Sequence, residues 1–314
     1  MLIALALLIA GLALLTVGAD RLVLSAARVS TRLGLSPILI GALVIGVGTS
    51  APELLVSVVA ALRGTLDLAV GNIVGSNVAN LSLVVGSAAI ISPVVSRVET
   101  LRREGGLMMV GTLVFAAFAW NHLLSRPEGA ILLAAMGVGV WLVIRWARAD
   151  RRGAAEIEAE VAEMEGPIRS IPFEVTIGVV SIAATLAGAE MLVRGAKTLA
   201  DLLSLSDGFV GLTIVAVGTS LPELATALAA ARRREGDLVV GNVLGSNMFN
   251  SLLVAGSAAL AGPGALVGDF RFPLVAMVVV SVLAGVFARS GQRVVRLEGV
   301  ALLAAFAILV VGLL

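Results

Sequence analysis

The chain reads as an all-α polytopic membrane protein, with ten transmembrane helices arranged as two inverted five-helix repeats. Three observations predict that class: an apolar, charge-poor composition, apolar stretches of spanning length, and a gapless internal repeat. Of 314 residues, 59% are hydrophobic and 14% charged, with a mean hydropathy of +1.07. A soluble domain runs nearer about 45–50% apolar and about 25% charged, which removes the soluble globular, disordered and nucleic-acid-binding classes. Twenty-two basic against 21 acidic residues leave a net charge of +1 and no pull toward an acidic partner. The absence of cysteine excludes a disulfide framework, a thiolate metal site and a thiol nucleophile. The 35 glycines suit closely packed membrane helices.

A span needs about 20 mostly apolar residues. Segmenting at polar clusters gives spans near 2–27, 36–62, 67–92, 105–121 and 128–147, then 172–199, 208–231, 237–261, 272–288 and 297–314. The first has no basic residue before its apolar run and continues into Asp20 and Arg21, so it reads as a retained helix rather than a signal peptide. Ten spans put both termini on one side. With the N-terminus outside, the inner loops hold 16 Arg/Lys residues and the outer loops hold 5, namely Arg63, Arg126, Arg194, Lys197 and Arg271. That asymmetry places both termini outside by the positive-inside rule. Residues 1–147 and 172–314 form the two five-helix repeats, and 148–171 forms a solvated inner linker. The linker's acids, Glu156 to Glu165, lack the alternating Asp/Asn pattern and central glycine of a calcium-binding loop.

The repeat has an offset of 170. Residues 41–90 align without a gap on 211–260, with 26 of the 50 positions identical. Shared Pro, Glu, Asn, Asp and Ser at fixed positions exclude chance similarity of Ala/Leu/Val tracts. Because five spans separate equivalent positions, the second copy is upside down relative to the first. Inverted repeats are a transporter architecture with the site near the midplane, built from interrupted helices.

Acids inside spans locate that site: Asp20, Glu53, Glu190 and Glu223. A carboxylate at a helix centre costs about 2.5–3.5 kcal/mol on insertion scales, and Arg21, the one comparably deep basic residue, lies beside Asp20. Glu53 and Glu223 must therefore be protonated or bound to a cation. Thr49, Ser50 and Glu53 share a helical face, as do Thr219, Ser220 and Glu223. Pro52 and Pro222 each leave a carbonyl without its helical donor, and Gly46, Gly48 and Gly218 ease unwinding there. On the following span Asn72, Ser76 and Asn80 recur every four residues, matched by Asn242, Ser246 and Asn250. All of these ligands are oxygens, which suits Ca²⁺ and Na⁺ rather than zinc or copper. Small and hydroxyl residues also serve plain helix packing, and Gly75-Ser76 and Gly245-Ser246 are open to that reading. Asp67 and Asp237 read as helix N-caps.

The stretches Gly48-Thr49-Ser50-Ala51-Pro52-Glu53 and Gly71-Asn72-Ile73-Val74-Gly75-Ser76-Asn77, with their copies from Gly218 to Glu223 and Gly241 to Asn247, resemble the two α-repeats of the sodium/calcium exchanger family. The resemblance implies a four-helix ion-binding core from spans 2, 3, 7 and 8, against which spans 1 and 6 slide, with Gly18 and Gly188 as close sliding contacts. It makes Glu53 and Glu223 the central Ca²⁺ ligands. Thr49 and Thr219 contribute carbonyls and hydroxyls, while Ser50, Ser220, Ser76 and Ser246 line flanking Na⁺ sites. Gly46 and Ala216 offer carbonyls, and Asn80 and Asn250 complete the centre. The potassium-dependent branch carries aspartate at the position of Asn250, so asparagine leans against potassium co-transport.

The expected function is Ca²⁺/Na⁺ antiport by alternating access, with no enzymatic activity and no cofactor. The expected partners are the two ions and the lipid bilayer, with the protein working as a monomer in a prokaryotic inner membrane. A H⁺/Ca²⁺ antiporter is the nearest alternative, since buried glutamates exchange protons as readily. A channel finds no continuous pore in inverted symmetry. An intramembrane hydrolase finds no base beside Ser50 or Ser220.

Overall fold

The computed structural model describes residues 1–32, 50–149 and 170–312. Within them the chain is helical apart from short connections. The first half contains α1 (Leu2–Arg32), α2 (Ala51–Leu62), α3 (Leu66–Ile91), α4 (Val98–Ala119) and α5 (Arg126–Ala149). The second contains α6 (Ile171–Leu203), α7 (Asp207–Thr219), α8 (Leu221–Arg233), α9 (Gly236–Ala261), α10 (Arg271–Arg289) and α11 (Arg296–Gly312). Six of these, α1, α3, α5, α6, α9 and α10, are long and apolar enough to cross a membrane. The pair α7 and α8, bent by 45° at Ser220, adds a seventh if counted as one span. The sequence expects ten. Among the described residues α4 falls short because Arg102, Arg103 and Glu104 occupy its first turns, and α11 because it has 17 residues.

The elements recur at the offset of 170: α3 and α9 begin and end 170 residues apart, as α5 and α11 begin. Between the helices lie two-residue strands. Strand β1 (Val94–Val95) pairs antiparallel with β4 (Arg293–Val294), and β2 (Leu123–Leu124) pairs with β3 (Gly264–Ala265). Each ladder joins one half to the other, and the 170-residue shift turns one ladder into its counterpart. Asp67 and Asp237 tie the same places rather than capping α3 and α9. Asp67 accepts from the backbone N–H groups of Val267 and Gly268 at 3.0 and 2.7 Å, and Asp237 accepts from that of Arg97 at 3.1 Å. The caps expected there are displaced because exposed turn N–H groups of the opposite half compete for the same carboxylates.

Helices α3 and α9 form the centre. In their most apolar stretches 83% and 72% of residues are buried, against 33% and 28% for α1 and α6. Such helices must be apolar on every side except where polar groups meet one another. Backbones approach closely where glycine permits. Gly71 and Gly75 lie against Gly208 and Leu212 of α7, and Gly211 against Leu68 of α3. Gly18 and Gly188 do mark a close contact, but between α1 and α6 themselves. A Cβ on Gly18 would fall 2.6 Å from the Thr185 hydroxyl, and one on Gly188 would fall 2.8 Å from the Gly11 carbonyl oxygen.

Helices α1 and α6 are also pinned at one end by Glu174. Its carboxylate pairs with Arg28 at 3.3 Å, and its carbonyl accepts from the Ser25 hydroxyl. Glu174 is buried, so losing its charge removes an interaction that water does not replace. Glu174→Ala is expected to destabilise the folded protein by about 1–3 kcal/mol, discounted for the partial exposure of Arg28. The measurement is a lowered thermal midpoint in detergent.

Candidate functional site

The break between α7 and α8 is where the sequence places it. Ser220 caps α8 with a non-helical backbone, Pro222 occupies its first turn, and Ser50 precedes α2 with Pro52 in the same way. Two helix N-termini therefore converge in the centre of the protein, bringing Glu53 and Glu223 with them in their first turns. Both glutamates are buried, and the two carboxyl groups are near enough to interact electrostatically. The halves interlock around them. Ser220 of the second half donates to Glu53 Oε1 of the first at 3.4 Å, and Thr219 lies against the same carboxyl. Ser246 stands beside the carboxyl of Glu223.

Of the predicted ligands, Thr49 and Gly46 lie outside the described residues. The other ten, Ser50, Glu53, Ser76, Asn80, Ala216, Thr219, Ser220, Glu223, Ser246 and Asn250, are all buried. Their hydrogen bonding sets them apart from ordinary membrane-helix hydroxyls. Ser82, Thr185 and Ser281 each donate to the carbonyl four residues back, the usual way such a side chain satisfies itself. Among the described residues, the hydroxyls of Ser50, Ser76 and Ser246 find no partner, nor do Glu53 Oε2, both oxygens of Glu223, Asn80 Oδ1 or either amide atom of Asn250. A buried polar atom without a partner costs about 1–3 kcal/mol. Three of the four carboxylate oxygens are among these atoms, which gives the set the chemistry to accept a cation. Pure packing would leave them satisfied. The Ala216 carbonyl is the least available of the set, because it already accepts from the Ser220 N–H and the Thr219 hydroxyl.

Asn72, the first member of its four-residue series, supports the site from behind. Its Nδ2 donates to Ser57 Oγ at 3.0 Å and to the Glu53 carbonyl at 3.5 Å, while its Oδ1 accepts from Thr219 at 3.2 Å. A second layer that sequence reasoning assigned no role contains Asn77, Asn247, Ser251 and Thr112, all buried. Helices α3 and α9 each widen by one π turn, at Asn80–Val84 and Asn250–Val254, beginning at the two asparagines. Such widened turns are frequent at functional sites. The remaining intramembrane acids stand apart: Asp20 is exposed, and Glu190 pairs with Arg63 and Arg194. Among the described residues no three His, Cys, Asp or Glu side chains form a metal cluster, so a cation here would rely on two carboxylates and neutral oxygens.

These features describe a membrane protein in which two buried carboxyl groups, one from each half of the chain, meet among buried polar side chains. Residues 3–145 and 174–314 match the family described as sodium/calcium exchanger protein, and the chain belongs to that family. It is 39% identical over 270 residues to the inner membrane protein YrbG of Escherichia coli, covering 84% of this chain and 82% of that one. It is 30% identical over 333 residues to the sodium/calcium exchanger MaX1 of Methanosarcina acetivorans, covering 94% of each. The fold is similar to a solved structure of the sodium-calcium exchanger NCX_Mj, with a TM-score of 0.63 and 29% identity over 99% of this chain and 98% of that one.

Proposed function

We propose that the protein is a secondary active antiporter that exchanges Ca²⁺ for Na⁺ by alternating access. The observation that carries this reading is the meeting of Glu53 and Glu223, one from each half, both buried and, among the described residues, without a basic partner and with three of their four oxygens unbonded. Family membership supports the choice of ions. In this reading Glu53 and Glu223 bind Ca²⁺ centrally, with Thr49, Thr219, Asn80 and Asn250. Ser50, Ser220, Ser76 and Ser246 line the flanking Na⁺ positions, and the carbonyls of Gly46 and Ala216 add to them. The two halves are inverted five-helix repeats making ten crossings, with both termini outside, in a prokaryotic cytoplasmic membrane.

The charge balance then couples the ions. Two carboxylates carry about −2, which one Ca²⁺ or two Na⁺ neutralise. A loaded site can pass between outward- and inward-facing states. An unloaded one would carry two uncompensated charges through a low-dielectric region, at a cost of several kcal/mol. Exchange is obligatory because crossing without a passenger is disfavoured. The Ser/Thr hydroxyls beyond the glutamates favour Na⁺ over H⁺ as the counter-ion, since a proton needs the carboxylates alone.

In proteoliposomes, ⁴⁵Ca²⁺ uptake is expected to follow an outward Na⁺ gradient and to be insensitive to an imposed pH gradient. Uptake driven by the pH gradient and indifferent to Na⁺ would make protons the counter-ion. Single-channel currents would overturn the antiport reading.

A further inference from the structure

We propose that Asn247 is a positioning residue that fixes which end of the Asn80 amide faces the cation, and that Asn250 has no such clamp. The proposal rests on the reading of Asn80 as an ion ligand. A carboxamide offers an oxygen at one end and two N–H donors at the other. The ends are nearly equal in size, so shape alone does not orient a ligating asparagine. Here a backbone carbonyl sets the direction. The carbonyl oxygen of Asn77 can only accept, and Asn247 Nδ2 donates to it at 3.0 Å. Asn247 Oδ1 is thereby turned the other way, as an acceptor, and Asn80 Nδ2 donates to it at 3.0 Å. Asn80 Oδ1, buried and unbonded, is left to meet the cation. The three residues are fully buried, so bulk water does not compete for these bonds.

The second half breaks the symmetry. By the repeat, the side chain of Asn77 would hold Asn250. Instead Asn77 Nδ2 donates to Ser251 Oγ at 2.8 Å and approaches Met277 Sδ at 3.4 Å, while Ser251 also meets the Thr112 hydroxyl at 3.4 Å. The positions aligned with Ser251 and Met277 are Leu81 and Leu107, and the one aligned with Thr112 is Val282. None has a polar side-chain atom, so these positions offer nothing that draws Asn247 away. Asn250 keeps both amide atoms buried and unbonded. Asn80 is a fixed oxygen ligand, and Asn250 an adjustable one, free to rotate as ions of different charge exchange.

The test is a double-mutant cycle on Ca²⁺ half-saturation for ⁴⁵Ca²⁺ uptake in proteoliposomes. Asn80→Ala and Asn247→Ala are each expected to raise it on the order of tenfold, the scale on which partners behind a metal ligand act. The double variant should be no worse than either single one, because Asn247 acts through Asn80. Asn77→Ala keeps the backbone carbonyl and is expected to change half-saturation by less than about twofold. If Asn80→Ala has no effect, the ligand reading itself fails. If Asn80→Ala acts but Asn247→Ala does not, or the two losses multiply, the clamp is overturned. An Asn77→Ala loss as large as that of Asn247→Ala would overturn the asymmetry. Should Asn247→Ala not reach the membrane, Asn247→Ser enters the same cycle, with Ca²⁺-induced thermal stabilisation in detergent as the readout and the same outcomes.

Discussion

Replacing either central glutamate by glutamine is expected to abolish Ca²⁺ transport while leaving the protein folded and in the membrane. The substitution keeps size and one acceptor oxygen, so Ser220 can still donate to residue 53 across the interface between the halves. It removes one of two negative charges, and a single carboxylate cannot neutralise a divalent ion in a buried site. Uptake by Glu53→Gln or Glu223→Gln is expected to fall by at least about a hundredfold, equivalent to about 3 kcal/mol of lost ion stabilisation. Stability moves the other way or not at all. Among the described residues no basic side chain holds either glutamate, so the change breaks no ion pair there and relieves the cost of a buried charge. The two measurements are uptake in proteoliposomes and the thermal midpoint in detergent. Normal uptake by either variant would remove the assignment, whereas loss of both uptake and midpoint would mean that the glutamates hold the fold.

The features that were legible in the sequence are those that act through local covalent geometry or composition. Pro52 and Pro222, each two residues after a serine, mark helix breaks whatever surrounds them, and buried glutamates among apolar residues stand out by their cost. The polar residues every four positions on α3 and α9 mark one face of each helix as a candidate lining of the site. What escaped depends on the partner rather than the segment. Asp67 and Asp237 look like caps from their own helices, yet they bind the turns of the opposite half. Gly18 and Gly188 advertise a close approach without saying to which helix. Glu174 sits in the first turn of α6, and its burial comes from its partner Arg28 on α1. The asparagine relay left only a faint trace, in Ser57 and Ser251 standing where the repeat has Ala227 and Leu81. A hydroxyl that breaks an otherwise apolar repeat is the signal that would have found it. The π turns at Asn80 and Asn250 had no signal at all, since an i to i+5 bond reflects packing of the whole core.

The second large effect concerns packing. Gly75→Val is expected to remove most of the folded protein, because α3 and α7 meet there backbone to backbone. A Cβ on Gly75 would fall 2.6 Å from the Ala216 Cβ and against the Leu212 carbonyl oxygen. Neither obstacle can swing aside by changing rotamer, so the helices must separate. In lipid, separation is not resisted by a hydrophobic effect; small residues hold helices together through close contact. The added isopropyl group therefore takes away the attraction itself. The expected cost is about 3 kcal/mol or more, at the upper end for overpacked cores. It also propagates, because α7 ends at Thr219, which bonds Asn72 of α3 and lies against Glu53. Gly137→Val is the matched control: Gly137 is exposed on α5, with no atom in the path of an added Cβ, and should keep the midpoint of the parent protein. Size-exclusion profiles and thermal midpoints in detergent separate the two. A Gly75→Val variant as stable as the Gly137→Val control would show that α3 and α7 do not touch along this face.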